Sequence, residues 1–193
     1  MKKSKGIYCI EGIWNEHDLH NKLSVLPMLE LLKRGEYCDY IYHDCATNDE
    51  LYFFLKQWKL KKYIKKYPIL YFAFHGNKNC IMMAKGKKAT LEQIAETLED
   101  SCKGTVIFFA SCDTLDIDKR LVLKFLNATG AVAAIGYKSE VDWIKSTAFE
   151  MILFDAVQDF TASKKGMYAV EKRISENYGQ LKRDLDFRMV IND

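Results

Sequence analysis

A chain of 193 residues is long enough to bury one core without disulfide or metal staples, so a single domain spanning 1–193 is expected. The 29 Lys and Arg against 26 Asp and Glu leave a net charge of +3, too mild a balance to point to nucleic acid or an acidic membrane surface. The opening "MKKSKGIYCIEGIW" lacks a signal-peptide core and no apolar run reaches membrane-spanning length, so a cytoplasmic protein is expected.

In chain order, "GIYCI" (6–10) predicts the first strand and "LSVLPMLELLKRG" (23–35) a helix that stops at Gly35. "CDYIYH" (38–43) predicts the second strand. "NDELYFFLKQWKLKKYIKKYP" (48–68) predicts one helix, with acids at its start and lysines at its end as the helix dipole favours. The third strand, "PILYFAF" (68–74), precedes "TLEQIAETLED" (90–100), whose Thr90 and Gln93 have the spacing of a capping box. "GTVIFFAS" (104–111) and "GAVAAIGY" (130–137) predict strands four and five, with the helix "DIDKRLVLKFL" between them. Two helices end the chain, one over 141–160 and a charged one from about 165 to 187. Strands three to five are almost continuously apolar, which suits a sheet covered on both faces. The alternation predicts an α/β three-layer sandwich around a mainly parallel central sheet of about five strands.

In such sheets functional groups gather where strands end at their carboxyl termini. His75 follows the third strand in "YFAFHGNKN" and Cys112 follows the fourth in "ASCDT". With neighbouring strands about 4.8 Å apart, imidazole and thiol can meet across the sheet edge. A nearby imidazole can hold a cysteine as thiolate or take its proton during attack on a carbonyl. The resulting oxyanion needs N–H donors, for which Gly76 and Cys112 are the candidates; glycine lets backbone approach substrate closely. A strand-end histidine or a buried cysteine alone is more often a packing residue; the pair at one edge carries the functional reading.

The order strand, "HG", helix, strand, "SCDT" resembles the caspase-like cysteine peptidases of clan CD, above all their CHAT branch. "NCIMMAKGKKATLEQIAETL" resembles the hairpin and helix between the two motifs, and "GAVAAIGYKSEVDWIKSTAFEMILFDAV" the fifth strand with its substrate loop and helix. The resemblance covers residues 68–160 and implies His75 as general base, Cys112 as nucleophile and peptide-bond hydrolysis through an acyl-enzyme. It further implies a protein or peptide substrate, an activating partner, self-processing or dimerisation, and a role in bacterial defence or cell death. "ASCDT" departs from the Gln-Ala-Cys-Arg-Gly pattern of caspases proper, so their aspartate preference does not carry over. A caspase-like scaffold without catalysis, or another thiol hydrolase or acyltransferase, stays open.

By the same resemblance, residues after the nucleophile and the fifth strand line the specificity pocket, which points to Asp113, Asp116, Glu140 and Asp142, with Trp143 as a wall. An acidic pocket would select Lys or Arg before the cleaved bond. Asp116, Asp118 and Asp142 also fit helix caps. No cofactor or metal is expected. "EHDLH" (16–20) lacks the HExxH pattern, and Cys38, His43 and Cys45 fit strand packing. Lysines 56, 59, 61, 62, 65 and 66 fit the solvated side of a helix whose apolar face carries Leu51, Phe54, Leu55 and Trp58, so no nucleic-acid partner is expected. The six cysteines, at 9, 38, 45, 80, 102 and 112, contain no CxxC pair and are expected to stay reduced.

Overall fold

The computed structural model describes residues 4–18, 20 and 23–192. Its elements begin with β1 (Ile7–Glu11), α1 (Leu26–Arg34), β2 (Tyr40–Asp44), α2 (Asn48–Trp58), α3 (Lys61–Ile64) and β3 (Ile69–Ala73). Three short strands follow, β4 (Gly76–Asn77), β5 (Cys80–Met82) and β6 (Lys88–Thr90), leading into α4 (Leu91–Leu98). The chain ends with β7 (Val106–Ala110), α5 (Lys119–Thr129), β8 (Ala133–Tyr137), α6 (Trp143–Asp159), α7 (Lys164–Asp184) and β9 (Phe187–Ile191).

Six strands form the main sheet in the order β2-β1-β3-β7-β8-β9. The first five run parallel and β9 runs antiparallel to β8. Strands β1, β3, β7 and β8 are buried along their whole length, which explains their unbroken apolar sequence: both faces are covered. Ile69, Tyr71 and Ala73 join Val106, Phe108 and Ala110 under α1, α6 and α7, whose Leu29, Phe149, Leu153 and Val170 close that layer. Leu70, Phe72 and Phe74 face the other way with Ile107 and Phe109, against Leu51 and Trp58 of α2, Ile94 of α4 and Phe125 of α5. A capping box at Thr90 and Gln93 starts α4 as predicted, and Thr47 with Glu50 forms another at α2.

The structure departs from the sequence reading in two places. The helix expected over 48–68 breaks at Leu60, which is extended (φ −62°, ψ 132°) and starts α3 anew. Leu51, Leu55 and Trp58 are still buried, whereas lysines 56, 61, 62, 65 and 66 are exposed. The final helix stops at Asp184, and "FRMVI" adds a sixth strand, β9. Its length is that of a single short strand, and its alternation is physical: Phe187, Met189 and Ile191 enter one core layer and Val190 the other. Arg188, which breaks the apolar run, donates to the carbonyls of Leu115 (2.7 Å) and Ile117 (2.5 Å).

Candidate active site

The parallel ladder of β3 and β7 pairs Ala73 with Ala110, and the Phe74 N–H continues it to the Ala110 carbonyl at 3.3 Å. Two residues beyond that pair on each strand, His75 and Cys112 follow the carboxyl ends of these neighbouring strands. Both line one cleft of about 200 Å³, together with Trp14, Ala110, Glu140, Val141, Trp143 and Glu150. His75 is exposed and Cys112 half-buried, while the other five cysteines are buried.

The imidazole is held by main chain. His75 Nε2 lies 2.7 Å from the Trp14 carbonyl oxygen. A carbonyl can only accept, so Nε2 carries the proton and the lone pair of the neutral ring sits on Nδ1. The Trp14 indole packs edge-on against the His75 ring (5.2 Å between centroids) and against Trp143 (4.8 Å). Its Nε1–H donates to Glu11 at 2.5 Å. Buried Glu11 also accepts from the Ser24 and Tyr42 hydroxyls and from the Val25 N–H. Four donors thus compensate one buried carboxylate and pin the Trp14 segment over the end of β1. Sequence reasoning missed this orienting contact, because every residue has a carbonyl; the acid closing the apolar run "IYCIE" was the available signal.

The turn after β7 is clamped from both sides. Thr114 Oγ1 lies 2.7 Å from Ser111 Oγ, 3.2 Å from the Cys80 carbonyl and 3.3 Å from the Cys112 carbonyl. The Asn79 N–H donates to the Thr114 carbonyl, the Leu115 N–H to Tyr137 and the Asp113 N–H to Ser139. Asp113 takes a left-handed conformation (φ 56°), which aspartate tolerates better than most residues. A Cβ on Gly76 would lie 2.2 Å from the Cys112 carbonyl oxygen and 2.4 Å from Thr114 Oγ1. Glycine after the histidine is therefore a packing requirement. In the β4–β5 hairpin the Met82 N–H donates to the His75 carbonyl at 2.8 Å and Gly76 opposes Ile81. Antiparallel pairs alternate, so the Gly76 N–H turns away from β5.

Burial is the main influence on the Cys112 thiol and raises its pKa. A hydrogen bond from the Val141 backbone acts in the opposite direction, and Asp113 and Glu140 add to the rise. Burial thereby favours the neutral thiol over the thiolate, which is the nucleophilic form.

The candidate substrate residues separate. Glu140 and Trp143 line the cleft, whereas Asp113 lies in the turn outside that lining. Asp142 accepts from the Lys145 N–H at 2.9 Å and caps α6. Asp116 pairs with Lys78 at 2.5 Å, and Asp118 caps α5 through the Arg120 N–H. A carboxylate that sequence reasoning passed over, Glu150, lies at the cleft and is 3 % exposed. Tyr71 and Tyr137 donate to its two oxygens. Burial raises its pKa to about 7 against the pull of those two hydroxyls. In the sequence Glu150 reads as an ordinary helix residue; only its inward placement marks it.

The lesser candidates fall elsewhere. His17 and His20 are exposed, and Glu16 accepts from the Lys85 N–H. His43 stacks on Phe54 at 4.2 Å, while burial pushes the Cys38 thiol to about 11 and the Cys45 thiol to about 12. Among the described residues no group of three or more His, Cys, Asp or Glu could hold a metal ion, and no helix is long and apolar enough to cross a membrane.

The sequence matches, over residues 4–191, a family described as "Family of unknown function (DUF6642)". No curated protein matches the sequence. The crystal structure of the Drosophila initiator caspase Dronc superposes with a TM-score of 0.60 at 12 % identity, covering 100 % of this chain and 81 % of that one. The fold is caspase-like: a mainly parallel six-stranded sheet between helical layers.

Proposed function

The chain belongs to the DUF6642 family, and we propose that it is a cysteine endopeptidase of the caspase-like, CHAT-type kind that cleaves a protein substrate. One observation carries the reading: His75 and Cys112 line the same cleft at the carboxyl edge of adjacent strands. As the Cys112 sulfur attacks the peptide carbonyl, its proton passes to His75 Nδ1, and the carbonyl π electrons move onto oxygen. The Gly76 N–H, with that of Cys112, stabilises this oxyanion. Collapse breaks the C–N bond, His75 returns the proton to the leaving amine, and a thioester remains. Water, deprotonated by the same imidazole, then hydrolyses the thioester to a carboxylic acid and free thiol. Throughout, the Trp14 carbonyl holds the ring and stabilises its protonated form. The resemblance suggests a place in bacterial defence or cell-death signalling, with activation by a partner, by self-processing or by dimerisation.

A non-catalytic scaffold draws on one observation, the raised pKa of a half-buried Cys112. Labelling with a peptidyl electrophile decides between them, with the modified residue mapped by mass spectrometry. The peptidase reading expects selective modification of Cys112, slowed about 100-fold or more in His75→Ala. Labelling that proceeds equally fast in that variant removes the general base and the reading with it. Fresh termini in a lysate treated with wild type but not with Cys112→Ala would give the substrate.

A further inference from the structure

We propose that Glu150, at the base of the cleft, makes the site select a lysine or arginine side chain immediately before the cleaved bond. The inference rests on the peptidase reading and names the substrate class of that same site.

The cleft lined by Cys112 is also lined by Glu150 and Tyr71. Ala110, two residues before the nucleophile, lines it with no more than a methyl group. Trp14, Val141 and Trp143 supply apolar wall, which suits the methylene stem of a long side chain whose charged end alone seeks polar partners. At that end the substrate would meet the Glu150 carboxyl, bonded by two neutral phenols, and a cation beside it favours the ionised form. Two carboxylate oxygens offer about four acceptor sites, so two phenols leave room for further donors, and the phenol oxygens can themselves accept. Among the described residues lining the cleft there is no Lys or Arg, so a bound cationic side chain would meet no like charge there. A substrate aspartate would instead face Glu150 and, nearer the mouth, Glu140, and like charges at short range oppose its binding.

The test uses peptidyl acyloxymethyl ketones that differ only in the residue next to the warhead, Lys, Arg, Leu or Asp. The rate of Cys112 modification is normalised to each protein's own rate with iodoacetamide. A charge-assisted hydrogen bond in a desolvated site corresponds to at least about tenfold, so Lys and Arg probes should outpace Leu by that factor and Asp by more. Glu150→Gln should bring Lys, Arg and Leu within about threefold of one another, near the low end of what a neutral hydrogen bond contributes. A second measurement needs no variant: n-butylammonium should protect wild-type Cys112 from the Lys probe, whereas n-butanol should not. Faster labelling by Leu or Asp, a Lys and Arg preference that survives Glu150→Gln, or equal protection by both small molecules overturns the role of Glu150. If no peptidyl probe modifies Cys112 while iodoacetamide does, the peptidase reading fails, and this inference falls with it.

Discussion

Replacing Glu150 by glutamine should change how stability depends on pH. The buried carboxyl has its pKa raised from 4.5 to about 7 by loss of water, a rise that the Tyr71 and Tyr137 hydroxyls only partly offset. The folded protein therefore holds this proton more tightly than the unfolded chain. The resulting stabilisation is fully present below about pH 4.5 and is lost as the pH rises through about 7. At about 1.4 kcal/mol per pH unit the whole effect is roughly 3 kcal/mol. Glutamine cannot ionise, so its curve lacks this slope. It also cannot accept from both tyrosines with oxygen, which costs about 1 kcal/mol. Glu150→Gln should thus be less stable than wild type at pH 5, and the gap should close or invert by pH 8. Urea unfolding followed by tryptophan fluorescence at several pH values between 5 and 8 measures the gap directly. A difference constant to within about 0.5 kcal/mol over that range would show that Glu150 does not titrate near neutrality, and the placement argument would fail.

Gly76→Ala should destabilise the fold by about 1–3 kcal/mol, because its methyl meets the Cys112 carbonyl; Cys112 alkylation by a peptidyl electrophile should slow, and a normal rate would show that the turn tolerates the shift. Thr114→Val should cost about 1–3 kcal/mol in chemical denaturation, since Ser111 Oγ and the Cys80 carbonyl lose a buried partner. Glu11→Gln turns an acceptor of four donors into a group with one accepting oxygen; amide exchange should rise around Trp14, and the His75-dependent part of Cys112 reactivity should fall. Unaltered exchange in that segment would contradict the tether.

Much of the main sheet was legible because burial on both faces writes itself as continuous apolar sequence, as in "ILYFA" and "VIFFA". The placement of His75 and Cys112 after neighbouring strands was legible for the same reason: both follow such runs. β9 was not, because five residues with an arginine inside give too little periodicity, and the tether that uses Arg188 lies more than seventy positions away. The acidic residues near Cys112 showed the limits of proximity in sequence. Asp142 satisfies a helix end and Asp116 an ion pair, whereas the carboxylate at the cleft base comes from a residue further along α6.

The acceptor that steadies His75 belongs to the peptide backbone, and this changes what can disable it. A side-chain acceptor vanishes with one codon change. A carbonyl survives every substitution at its own position and is lost only when its loop relocates. Loosening of the imidazole would then be an event of shape, reversible by anything that lifts or reseats residues 12–18, with every reactive side chain still in the chain.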